Sequence, residues 1–253
     1  MGILWRAFNE LITPKPLLKL DNCPSKQPIY KTLKATIGRQ RLEIDVPSGF
    51  AMYSKDNYPD SYFNQIVNLQ TLEYQQWLIF KKASRICVFI WDYKTRYLLG
   101  KEGAGSSGRI YIDVHVIPSD KALSSLSDLQ SVISNVYQQE IDRQLKKLNE
   151  AGIDKNDNFK LTQHKMILNK LKNERPPKME NVTIGDTPYL FYEIKEVRET
   201  SRHYALLLDA HHYLMINLET NIAGTTIEGL KQERIAHQED MQHLLNGIRF
   251  YTD

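Results

Sequence analysis

Asp209, His211 and His212 stand together in "LLLDAHHYLMINL", and adjacent imidazoles beside a carboxylate are metal-ligand types. In an extended strand His211 and His212 would point to opposite faces, so they could share an ion only at a turn, with a third ligand. The run has the shape of a hairpin: apolar stretch, short polar turn, apolar stretch. It is read as a hairpin, and no metal is expected there. Asp113 and His115 lie two apart in "GRIYIDVHVIP", hence on one face of a strand. A carboxylate and an imidazole so placed can form an acid–base pair. No motif ties a serine or cysteine nucleophile to them, so the row reads as solvent-facing. A hydrolase built on Asp113 and His115 is the alternative.

Glu233, His237 and Asp240 follow helical spacings of i, i+4 and i+7 in "ERIAHQEDMQH", which is not the H-E-x-x-H arrangement of zinc enzymes. His237 and His243 diverge by about 120° around a helix. His237 falls on the apolar stripe and reads as a packed histidine at the edge of the core. "GAGSSG" at 103–108 matches G-x-G-x-x-G, but it leads into a strand and not into a helix whose N-terminus could meet a pyrophosphate. It reads as a mobile Gly/Ser loop joining two strands, and no cofactor is expected.

Two stretches are candidates for binding a macromolecule. "WDYKTRYLLGKEGAGSSGR" sets aromatic residues among arginines beside the glycines. Tyrosine and arginine are enriched in binding hot spots, and loops often carry function. Trp91 is assigned to the core, and Tyr93, Arg96, Tyr97 and Arg109 are predicted to be the exposed partner-binding residues. The segment 160–178 holds Lys160, Lys165, Lys170, Lys172, Arg175 and Lys178 against Glu174. Phe159, just before it, is the one aromatic residue at hand to stack on bases, so nucleic acid is not the expected partner. A solvated helix and loop is the plainer reading, and an electrostatic patch for an acidic protein comes next.

The bulk numbers are those of an ordinary soluble globular protein. The chain has 253 residues, 42% apolar and 25% charged, with a net charge of +3. A compact chain of this size buries roughly 75% of its unfolded surface and needs no covalent staples. The net charge is too small to argue for nucleic acid or an anionic membrane. Two cysteines make no disulfide framework: Cys87 reads as a buried hydrophobe and Cys23 as exposed. The opening "MGILWRAFNELITPKP" lacks the apolar core of a secretory signal, Arg6 breaks the myristoylation pattern, and no membrane span is expected. A cytoplasmic location is therefore expected.

These residues need elements to position them. Leu4, Phe8, Leu11 and Ile12 predict a short helix, followed by a Pro-rich linker to residue 30. Residues 31–253 are expected to form a single α+β domain with a polar basic insertion at about 153–182. The predicted strands are "RLEIDV", "QWLIFKK", "RICVFIWDY", "GRIYIDVHVIP", "YLFYEIKEV", "RHYALLLD", "HYLMINL" and "GIRFY". Helices are expected at "DSYFNQIVNLQ" with Asp60 as its cap, across 119–151 up to Gly152, at "MILNKL", and across 228–246. The last should bury Leu230, His237, Met241, Leu244 and Leu245. The fold class is thus an antiparallel β-sheet with amphipathic helices packed on it.

Ile44-Asp45-Val46-Pro47-Ser48-Gly49-Phe50, Ile184-Gly185 before "YLFYEIKE", "HYALLLDAHHYLMINLET" and the closing "LLNGIRF" together resemble the PsbP/DcrB-like family. The resemblance spans about residues 40–118 and 183–251. It implies an α/β/α sandwich and a non-enzymatic binding role. Members of that family serve as photosystem subunits, small-GTPase-binding proteins, chaperones for type VI secretion effectors, and immunity proteins against secreted lipase toxins. For this chain it implies an immunity protein neutralising a toxin, or a chaperone or adaptor for a secreted effector. It supplies no catalytic residue.

Overall fold

A computed structural model describes residues 19–20, 24–48, 60–96, 102–151, 158–195, 199–222 and 227–252. The elements are β1 (Lys19–Leu20), a 3-10 turn at Pro24–Lys26, β2 (Ile29–Ile37), β3 (Gln40–Pro47), α1 (Asp60–Phe63), β4 (Asn64–Val67), β5 (Gln75–Trp77), β6 (Phe80–Arg96), β7 (Glu102–Pro118), α2 (Leu126–Glu150), α3 (Asn158–Asn173), β8 (Met179–Ile184), β9 (Thr187–Lys195), β10 (Glu199–Leu207), β11 (His212–Ile222), α4 (Ile227–Asn246) and β12 (Ile248–Thr252). The protein is α+β, with helices packed on antiparallel sheet.

There are two sheets, where a single one was expected. The larger runs β1-β6-β7-β11-β10-β9-β8, with β5 folded back on β6. The smaller runs β12-β3-β2-β4, antiparallel except for the parallel pair β2–β4. The first core lies between the sheets and α4. Ile110, Ile112, Val114 and Val116 of β7 meet Leu33, Ala35, Leu42 and Ile44 of the small sheet and Met241 and Leu244 of α4. The opposite face of the large sheet packs Leu190, Tyr192, Ala205, Tyr213 and Met215 under Leu129 and Ile133 of α2. Period-two alternation sends neighbouring residues of one strand to the two cores.

Local chemistry accounts for the ends of these elements. Ser125 caps α2: its hydroxyl accepts from the Asp128 N–H, and the Asp128 carboxylate accepts in return from Ser124 and Ser125. Gly38 takes φ 61° in the two-residue turn between β2 and β3. Arg249 of β12 grips Asp45 of β3 through two bonds of 2.6 and 2.8 Å, and this guanidinium holds the Asp45 carboxyl below its usual range.

Several expectations are corrected. "QWLIFKK" is a hairpin and not a strand: Leu78 turns the chain at φ 50° between β5 and β6, without the glycine or asparagine that marks such turns. The helix expected from Asp60 stops at Phe63, because "NQIV" adds to the edge of β2 as β4. "GAGSSG" is not a loop. It lies inside β7, and bulges at Asp92/Lys94 and Lys94/Arg96 fit it to β6. The supposed linker contains β1, the 3-10 turn and the start of β2, where Leu33, Ala35 and Ile37 alternate with exposed Lys34 and Thr36. The N-terminal helix, Cys23, Gly49–Phe50 and Gly152 lie outside the described residues.

Candidate functional site

The long β6–β7 hairpin gathers most of the predicted site residues. Asp113 and His115 lie on β7, on the face toward α2, but they do not form a solvent-facing row. His115 is 0% exposed. Its ring stacks on Trp77 of β5 at 3.9 Å, and its Nε2 lies 2.8 Å from Asp113 Oδ1. A carboxylate paired to a guanidinium only accepts, so Nε2 carries the proton. Arg85 of β6 binds both Asp113 oxygens, at 3.1 and 3.2 Å. Asp113 thus ties β6 to β7, His115 carries β5 through Trp77, and the enclosed His115 presents no free face to a substrate.

The same row continues across the sheet. Asp113 stands opposite Asn217 of β11, and Asn217 opposite His203 of β10. His203 lies flat on Tyr192, and burial pushes its imidazole down to about 3, so it stays neutral. Glu219 accepts from Asn217; its carboxyl is raised first by burial, then by the negative charges of Glu199 and Asp113. Arg85, Trp77, His203, Asn217 and Glu219 were not singled out from the sequence. Only cross-strand register joins them, and register is not written in local spacing.

Tyr93 is corrected from an exposed residue to a fully buried one. It faces the other core, where its ring stacks on His237 at 4.2 Å and its hydroxyl donates to Asp240 at 2.7 Å. The aromatic body and the polar handle are both satisfied inside. Asp240 also accepts from the Ser25 N–H at 3.1 Å, which fastens the 3-10 turn to α4. Burial pushes His237 down to about 4, against the pull of Asp240. It is a packed core histidine, as expected. Gly108, at φ +146°, passes so close that a Cβ there would come within 2.9 Å of the His237 ring and 2.5 Å of the Asn221 carbonyl.

Arg109 is the predicted site residue whose side chain is seen on the surface. It pairs with Asp92 across the hairpin and donates to the Tyr111 hydroxyl. Arg96 closes the described part of β6, its backbone set between Lys19 and Glu102; Tyr97 lies outside the described residues. Beyond Arg109 the described part of β7 extends past the described end of β11. The β11–β7 pairing ends at Ile222 and Gly108, while β7 extends back to Glu102. Among the described residues, no strand borders Glu102–Ser107 on the side away from β6.

The histidine pair is a hairpin turn. Asp209 accepts from the His211 N–H at 2.7 Å and contacts His212 Nδ1 at 2.9 Å, which shapes the connection between β10 and β11. Among the described residues, no three histidine, cysteine, aspartate or glutamate side chains converge as metal ligands. Cys87 is buried, and burial raises its thiol far above the ordinary range, so it is inert. No described helix is long and apolar enough to cross a membrane.

Comparison with protein-family models, curated proteins and solved structures found no match to this chain.

Proposed function

We propose that this chain is a non-enzymatic protein-binding module that takes its partner at the projecting end of the β6–β7 hairpin. The observation that carries the reading is that, among the described residues, no strand borders Glu102–Ser107 on the side away from β6. Such an edge presents alternating N–H and C=O groups to which a partner strand can add. The composition suits that use: the small side chains of "GAGSSG" let another backbone approach closely. Arg109 at the base of this stretch would supply a side-chain contact, and Arg96 and Tyr97 are the further candidates from the sequence. Tyr93 is left out, being committed to Asp240 and His237.

Within this reading the role is that of an immunity protein neutralising a toxin, or of a chaperone or adaptor for a secreted effector of the type VI kind, acting in the cytoplasm. The PsbP/DcrB-like sequence pattern supports that finer role. The hydrolase alternative is the weaker one, since His115 is enclosed by Trp77 and Asp113 by Arg85.

The test is co-purification with the tagged full chain, in parallel with a variant carrying Arg96→Ala, Tyr97→Ala and Arg109→Ala. Loss of a hot-spot cluster costs on the order of tenfold or more in affinity. The expected result is a retained protein whose affinity falls by that factor, with the melting temperature little changed. A partner held equally well by the variant would place the interface elsewhere.

A further inference from the structure

A second surface, independent of the hairpin, fits a different kind of partner. α3 packs against α2, and its inward stripe is His164, Leu168 and buried Leu171. Its outward side should then be polar. Instead Phe159, Met166 and Ile167 are 71%, 67% and 50% exposed. At 3.6 residues per turn Phe159 and Met166 fall within about 20° of each other, and Ile167 about 100° round from Met166. Around them Lys160, Lys165, Lys170 and Lys172 are all exposed, and Arg175 and Lys178 follow. Glu174 is the one acidic residue between 158 and 178. Lys165, Lys170 and Lys172 make no ion pair among the described residues.

The types of residue decide between partners. Protein interfaces are depleted in lysine, and their hot spots favour tryptophan, tyrosine and arginine. Helices that lie on membrane surfaces combine lysines with phenylalanine and other apolar residues that enter the headgroup boundary, and lysine stems reach past the apolar side to the phosphates. α3 has the second composition. We propose that α3 docks the protein on an anionic lipid surface, with Phe159, Met166 and Ile167 entering the headgroup layer and the lysines over lipid phosphates. The attraction is local, since the whole chain carries only +3.

The test is flotation of the full chain with vesicles of phosphatidylcholine alone or with phosphatidylglycerol added, at low and physiological salt. The protein should float with the anionic vesicles only, and less at higher salt. Lys165→Glu with Lys170→Glu should reduce binding on the order of tenfold or more, since each basic residue near an anionic surface contributes independently. Phe159→Ser with Met166→Ser should weaken it at unchanged charge, and Lys165→Arg with Lys170→Arg should preserve it. All four positions are exposed, so melting temperatures should not move. Failure to float with anionic vesicles, equal binding to both kinds, or binding that survives both the Glu and the Ser pairs overturns the proposal. If the chain ignores anionic vesicles yet holds an acidic protein through Lys165 and Lys170, the surface is a protein interface and the proposal is likewise overturned.

Discussion

The ring of His237 lies on the ring of Tyr93, 4.2 Å between centroids and 19° from parallel, and the Tyr93 hydroxyl reaches Asp240 one turn further along α4. This contact joins the C-terminal helix to the longest hairpin of the large sheet. It is structural. Tyr93→Phe keeps the stack but removes a donor from a buried carboxylate, which should cost about 1–3 kcal/mol in urea unfolding. Partner affinity should not change. A stability unchanged by Tyr93→Phe would mean that the hydroxyl does not hold Asp240 as described.

Gly108 marks the closest approach of backbone to the same histidine. Gly108→Ala adds a Cβ at φ +146° and 2.5 Å from a backbone oxygen, which cannot give as a side-chain tip can. Strain of this kind costs on the order of 1–3 kcal/mol. The melting temperature should fall, and hydrogen exchange should quicken in α4 and at the β7–β11 pairing.

Asp113 should matter far more than its salt-bridge partner Arg85. Asp113→Ala leaves the buried His115 Nε2–H without an acceptor and should cost about 2–4 kcal/mol. Arg85 is exposed, so Arg85→Ala should cost about 1 kcal/mol or less. Comparison of the two urea midpoints checks this. Equal losses would mean that the Asp113–His115 bond contributes little.

Two buried imidazoles set the response to acid. Burial holds His203 down to about 3 and His237 to about 4, whereas both return toward their ordinary 6.5 in the unfolded chain. Between those values the unfolded state binds more protons, so stability is fully present above about pH 6.5 and declines as pH falls. Each histidine adds a slope of up to about 1.4 kcal/mol per pH unit. Unfolding midpoints measured from neutral to about pH 5 should therefore fall more steeply for the native chain than for His203→Phe with His237→Phe, which keeps aromatic rings against Tyr192 and Tyr93. Identical slopes would contradict this origin.

Strands with clear alternation were legible in the sequence. Ile110, Ile112, Val114 and Val116 mark one buried face of β7, and all four are buried. The helix stripe of His237, Met241, Leu244 and Leu245 was equally plain, as was the turn at Asp209–His211. What local pattern does not carry is pairing at long range. β3 and β7 read alike, yet they belong to different sheets, because sheet membership depends on which strand each meets. Leu78 turns without a turn residue, so "QWLIFKK" reads straight through it. Tyr93 reads as a surface residue because Asp240 and His237, which bury it, lie in the last helix of the chain. In the candidate site the exposure of Arg109 was legible from its type and place. The enclosure of His115 was not, since Trp77 reaches it through the β5–β6 hairpin and Arg85 reaches Asp113 through strand register.

Hydrogen exchange at residues 102–107, compared between the free chain and the complex retained in co-purification, bears most directly on the hairpin as a partner-binding edge. On the proposed reading, alternate amides here are weakly protected in the free chain, and an added partner strand should slow them strongly. Protection gained at Glu102–Ser107 and around Arg109 is the expected result. A bound partner that leaves exchange at Glu102–Ser107 unchanged would contradict binding at this edge.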